Sequence, residues 1–143
     1  MATNGDMMRR PKLILAALTV LATIAAGLPG SPAQAAYPTT RFLVSASYST
    51  ASGTITWYNR SVGIQGYVQD HNSSPDGYSQ VRFHWFLDYD TEYGVSQTRT
   101  ANPGERKSFN FQQQGPEGGI RIVHIRVCAL VGGCASDSFP RPQ

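Results

Sequence analysis

The chain has 143 residues, 41% of them hydrophobic, with twelve Lys and Arg against nine Asp and Glu. Beyond the leader described next, nine basic and eight acidic residues remain, and Arg106-Lys107 is the one adjacent basic pair. That balance excludes a nucleic-acid binder, which needs several phosphate contacts to hold at physiological salt, and the length leaves room for a single ordinary domain.

Met1–Ala35 reads as an export signal. Arg9, Arg10 and Lys12 precede an apolar run from Leu13 to Leu28, Pro29-Gly30-Ser31-Pro32 breaks it, and Ala33-Gln34-Ala35 offers small residues to a signal peptidase. The run is sixteen residues, short of the roughly 20 that a membrane span needs. Cleavage is predicted between Ala35 and Ala36. Pro11 after the arginine pair and Met8 before it favour the general secretory route over twin-arginine export. The mature protein, residues 36–143, is expected outside the cell and free of the membrane.

Helical periodicity is nearly absent from this mature part, and apolar and polar residues alternate instead. Phe42, Val44 and Ala46 alternate with Leu43 and Ser45, and a turn is expected over Ser49–Gly53. Ile55 and Trp57 alternate with threonines, then Val62, Ile64, Gly66 and Val68 with Gly63, Gln65, Tyr67 and Gln69. A polar connection follows, Asp70–Ser79. Val81, Phe83, Trp85 and Leu87 form one face of the strongest strand, with Arg82, His84, Phe86 and Asp88 on the other. Val95–Ala101 is polar and reads as an edge strand, and Asn102-Pro103-Gly104 as a turn. Phe109 and Phe111 mark another strand, with Gln112–Gly119 expected as a loop. Val123, Ile125, Val127 and Ala129 form the next inward set. Ile120 and Ile122 are out of phase with it, which predicts a bulge. A last short strand runs to Phe139.

Cys128 and Cys134 are the only cysteines. In an oxidising compartment a disulfide is the default, and Gly132-Gly133 permits a tight reversal between them. Cross-strand neighbours lie near 5 Å, within disulfide range. A redox dithiol normally has two intervening residues at a helix start; here there are five, after a strand.

Seven or eight short strands with one apolar face each predict an all-β fold: a single antiparallel β-sandwich, immunoglobulin-like in architecture, with a small β-barrel as the alternative. Both tryptophans precede both cysteines, so any kinship with immunoglobulin domains is architectural. The run Gly53-Thr54-Ile55-Thr56-Trp57-Tyr58-Asn59-Arg60-Ser61-Val62-Gly63-Ile64-Gln65-Gly66-Tyr67-Val68 resembles a run of small secreted actinobacterial β-sandwich proteins without established activity. Thr98-Arg99-Thr100 and Ile125-Arg126-Val127-Cys128 extend the resemblance over most of the mature chain. It implies a secreted β-sandwich and no catalytic residue.

Candidate chemistry is sparse. His71, His84 and His124 have no zinc-ligand spacing, though His84 and His124 would approach one another on neighbouring strands. Asp88, Asp90 and Glu92 alternate and would aim together as calcium ligands if the strand continued. The calcium-loop pattern, however, lacks its glycine (Tyr93) and its closing glutamate (Arg99). Solvated strand positions explain both sets more simply, so no metal and no cofactor are expected. A serine triad from Ser, His84 and Asp70 or Asp88 has no nucleophile elbow behind it. Tyr58, Tyr67, Tyr78, His84 and Phe86 fall opposite the core residues or beside a turn and form the candidate ligand surface.

The sequence therefore predicts a secreted, non-catalytic binding module for an extracellular protein or polysaccharide. The alternatives are an inhibitor of a secreted hydrolase, presenting Asp70–Ser79 or Gln112–Gly119 to a cleft, and a weak hydrolase.

Overall fold

The computed structural model describes residues 36–72 and 77–143. The predicted leader, the Ala35 side of its cleavage point, and residues 73–76 of the polar connection lie outside the described residues. Eight antiparallel strands account for the fold: β1 Thr39–Ala46, β2 Ser49–Trp57, β3 Ser61–Asp70, β4 Ser79–Phe86, β5 Gln97–Ala101, β6 Arg106–Gln114, β7 Ile122–Ala129 and β8 Gly133–Pro140. Two four-stranded sheets form, β1-β2-β3-β6 (sheet A) and β5-β4-β7-β8 (sheet B). They stack as a sandwich and do not close into a barrel. No helix occurs among the described residues. The strand order differs from the ABED-on-CFG order of immunoglobulin domains, so the likeness is indeed one of architecture.

Period-2 alternation is what makes this arrangement stable, because each sheet then has one face to bury. Sheet A contributes Phe42, Val44, Ile55, Trp57, Ile64 and Val68, and sheet B contributes Val81, Phe83, Trp85, Val123, Ile125 and Val127, all buried. Phe83 sits at the middle. Its ring contacts Phe109 and Phe111 at 5.3 Å each, Trp85 at 6.2 Å and Phe42 at 6.3 Å. Both buried indoles are satisfied: Trp57 Nε1 donates to Thr40 Oγ1 at 2.9 Å, and Trp85 Nε1 to the Val95 carbonyl at 3.3 Å. On the edge strand β5, Arg99 lays its guanidinium over the Phe111 ring at 4.5 Å, covering the core rim with a charge that discourages pairing with another sheet.

Several local expectations are corrected. The first turn is not Ser49–Gly53; those residues already belong to β2. The reversal is Ser47-Tyr48, with Tyr48 at φ 64° and Ala46 opposite Ser49. Strand β6 runs through Gln114, so the first three residues of the loop expected from Gln112 are an edge ladder against Ser61–Gly63. No bulge interrupts β7, which pairs one-to-one with β4 from Ile122 to Ala129. The phase break arises because Ile120 precedes the strand and drops into the core, whereas Ile122 opens the strand opposite Phe86 on the other face.

Cys128 and Cys134 are bonded, with Cα atoms 4.1 Å apart. They are register partners in the β7–β8 hairpin, close to the ≈ 4.5 Å of the narrow cross-strand pairs. The bond clips a local hairpin, as its spacing implied.

Candidate ligand surfaces

The five candidate ligand residues do not share one surface. Tyr58 and Tyr67 lie on the outer face of sheet A, and His84 and Phe86 on the outer face of sheet B. Tyr78 precedes β4, where its carbonyl accepts the Leu130 N–H at 3.0 Å. Alternation separates them: a residue's face is set by its phase along its own strand, and neighbouring segments of sequence feed different sheets.

On sheet A, β3 and β6 set Tyr67 opposite Ser108, Gln65 opposite Asn110, and Gln69 opposite Arg106. Arg106 donates through Nε and Nη2 to Gln69 Oε1 at 3.0 and 2.7 Å. This holds its guanidinium 4.1 Å from the centre of the Tyr67 ring. On the side away from Arg106, Tyr67 borders a shallow open groove of ≈ 370 Å³ lined also by Gln65, Ser108 and Asn110. No hydrogen bond within the protein engages the side chains of Gln65, Ser108 or Asn110 among the described residues, so their donors and acceptors face water. Tyr58 lies two rungs beyond. Its ring edge is where a Cβ on Gly63 would touch it, at 3.0 Å, and Tyr37 packs edge-on against it at 4.8 Å. Gly63 and Tyr67 are four residues apart on β3, or about 13 Å.

The outer positions of sheet A carry no carboxylate: Thr54 and Thr56 on β2, Gln65 and Gln69 on β3 and Asn110 and Gln112 on β6 supply hydroxyls and amides, and Arg41 on β1 and Arg106 on β6 the charges. The contributions of Gln65, Asn110 and Arg106 were missed in the sequence because they depend on which strand pairs with β3. The only visible trace was the regular recurrence of polar residues opposite Phe109 and Phe111.

On sheet B, His84 and His124 are register partners with ring centres 6.1 Å apart. His84 Nδ1 donates to Glu92 Oε1 at 2.6 Å, the one contact between a basic and an acidic side chain within 4.0 Å among the described residues. His124 Nδ1 shares a hydrogen bond with Ser138 Oγ at 2.9 Å. Burial lowers the His124 pKa, and the neighbouring charges of His84 and Arg126 act in the same direction.

The calcium candidates do not converge. Strand β4 ends at Phe86, so the alternation that would have aimed Asp88, Asp90 and Glu92 together stops before it reaches them. Asp88 Oδ1 instead accepts the N–H groups of Asp90 and Thr91 at 3.0 and 2.8 Å. Those contacts hold its pKa below the usual carboxylate value, while Glu92 turns to His84. Among the described residues no cluster of three His, Cys, Asp or Glu is placed to hold a metal ion. The triad candidates are likewise apart. Asp70 is buried and accepts Ser79 Oγ directly at 2.7 Å and the Asn72 N–H at 2.7 Å, with no histidine between, and His84 is committed to Glu92.

The loop from Gly115 is anchored to the β2–β3 connection. Gly115 N–H donates to the Arg60 carbonyl at 2.9 Å, and Arg60 Nε reaches the Pro116 carbonyl at 3.4 Å.

Known proteins add nothing to this geometry. No family model, curated protein or solved structure matches the chain.

Proposed function

We propose that this protein is an extracellular, non-catalytic module that binds neutral polysaccharide through the outer face of sheet A. The observation that carries the reading is Tyr67: one side of its ring is backed by Arg106, and the ring borders a groove with unengaged amides and a hydroxyl beside it. Sugar recognition uses this combination. The C–H face of a pyranose stacks on an aromatic ring, and its hydroxyls pair with side chains that both donate and accept. Gln65 and Asn110 supply both functions, and the groove lining itself carries no charged side chain, Arg106 being engaged by Gln69 and Tyr67, which suits an uncharged ligand. Tyr58 extends the platform along β3 to the length of a short oligosaccharide.

The extracellular setting rests on the leader and on the Cys128–Cys134 bond, which persists outside the reducing cytosol. It agrees with the resemblance to small secreted actinobacterial proteins.

Affinity electrophoresis through gels containing soluble neutral glycans tests the reading. The wild-type protein should be retarded by at least one of a panel of β-glucan, xylan, mannan and soluble chitin derivatives. Tyr67→Ala should lose that retardation at least tenfold while keeping its melting temperature. Absence of retardation across the panel, or unchanged retardation in Tyr67→Ala, contradicts it.

A further inference from the structure

We propose that the outer face of sheet B carries a second, independent site, specific for a carboxylate-bearing polysaccharide such as a polyuronate. The register of β4 and β7 sets Arg82 directly opposite Arg126. Both are exposed, and neither has a carboxylate partner among the described residues. Like charges directly opposed on a ladder are destabilising. The carboxylate of Glu92, one rung along, is engaged by His84, and the outer positions flanking the arginines, Gln80, Thr98, Cys128 and Ser136, carry no acid. The counter-charge this rung lacks is a ligand's to supply.

The local shape suits such a ligand. A shallow depression of ≈ 200 Å³ is lined by Gln80, Arg82, Arg126 and Cys128. The Cys128–Cys134 bond ties β7 to β8 one rung from the arginines. Two planar guanidinium forks on adjacent strands match a planar carboxylate, each able to give it paired hydrogen bonds. Gln80 gives an amide N–H to Thr100 Oγ1 at 3.4 Å, leaving its carbonyl oxygen to accept a sugar hydroxyl. The next rung, about 7 Å along the strands, presents His84 and His124.

The strip also argues against other polyanions. Two arginines neutralise too few phosphates to hold nucleic acid at physiological salt. An acidic peptide adding as a strand would need a sheet edge, and β4 and β7 are the two central strands of their sheet. This site shares no residue with the Tyr67 groove and does not depend on it.

Isothermal titration with polygalacturonate is the test. The wild-type protein should bind, more weakly as salt rises. Arg82→Gln/Arg126→Gln should bind at least tenfold more weakly with a melting temperature at or above that of wild type, because the like-charge opposition is relieved, and Arg82→Lys/Arg126→Lys, which keeps the charge but loses the forks, should fall between. Tyr67→Ala and Arg41→Gln, altered on the other face, should bind as wild type. Dextran sulfate and polyglutamate should bind at least tenfold more weakly than polygalacturonate. The site is refuted if wild type does not bind, if the double glutamine variant binds undiminished, if Arg41→Gln loses as much, or if the three polyanions bind alike.

Discussion

Gly53 and Gly66 face each other across the β2–β3 ladder, and neither has room for a methyl group. A Cβ on Gly53 would lie 2.1 Å from the Gln65 carbonyl oxygen, and one on Gly66 would lie 2.2 Å from that of Ser52. The same row continues to Phe42 on β1 and Phe109 on β6, and Phe83 of sheet B contacts both of those rings. The glycine pair thus leaves a low place in sheet A between two phenylalanines, beneath the central ring of the core.

Gly66→Ala should therefore destabilise the protein by about 3 kcal/mol or more, because strand backbone must move to admit the methyl. Phe83→Ala should cost about 3–5 kcal/mol through the cavity it leaves. Urea unfolding followed by tryptophan fluorescence measures both. A loss below about 1 kcal/mol for Gly66→Ala would mean that the two strands are not held this closely.

Asp70 joins the end of β3 to the start of β4 through Ser79 Oγ and the Asn72 N–H. Asp70→Ala removes the short acceptor of the buried Ser79 hydroxyl, leaving it the longer contact to the Tyr48 carbonyl at 3.4 Å, and should cost about 1–3 kcal/mol. Ser79→Ala should cost less, since the carboxylate keeps its backbone donor. Equal and negligible effects in thermal melts would contradict this role.

Reducing the Cys128–Cys134 bond should cost about 2–2.5 kcal/mol, the chain-entropy value for so short a loop. The far-ultraviolet circular dichroism should stay that of a β protein, because the bond reinforces a hairpin that the β7–β8 ladder already specifies. Collapse of the β signal on reduction would show that the crosslink organises more than its hairpin.

Stability should fall as the solution is acidified below neutrality. The His124 pKa is lowered below its ordinary value of 6.5, first by burial, then by His84 and Arg126, with Asp137 and Glu92 opposing. As pH falls through 6.5 the unfolded chain takes up this proton before the folded protein does, which favours unfolding. Asp88, held low chiefly by the Asp90 N–H, adds a loss in the carboxylate range: its contribution is present above the unfolded pKa and disappears as pH falls through the folded one. Melting temperature against pH should slope downward between pH 7 and pH 5, and His124→Gln should flatten that part. An unchanged slope in His124→Gln would place the proton uptake elsewhere.

Much of this architecture was legible in the sequence because alternation is local information. Val81-Phe83-Trp85 and Val123-Ile125-Val127 announced two core strands, and the cysteine spacing announced their hairpin. What misled was composition without partners. Ser49–Gly53 is rich in small polar residues and reads as a turn, yet Gly53 is there to pass close beneath aromatic rings. Gln112–Gln114 reads as loop because an edge strand needs little apolar content. The candidate ligand surfaces were the least legible part. The juxtapositions Tyr67 with Arg106 and Arg82 with Arg126 come from strand pairing across long stretches of chain, and no spacing rule in one sequence encodes register.

The account is tested most directly by nitrogen-15 chemical-shift mapping of the labelled protein titrated with the neutral oligosaccharide that retards it best. Shifts concentrated at Gln65, Tyr67, Ser108 and Asn110, reaching toward Gly63, are the expected result. Shifts gathered on β4 and β7 or scattered over the loops, with the Tyr67 neighbourhood silent, would contradict it.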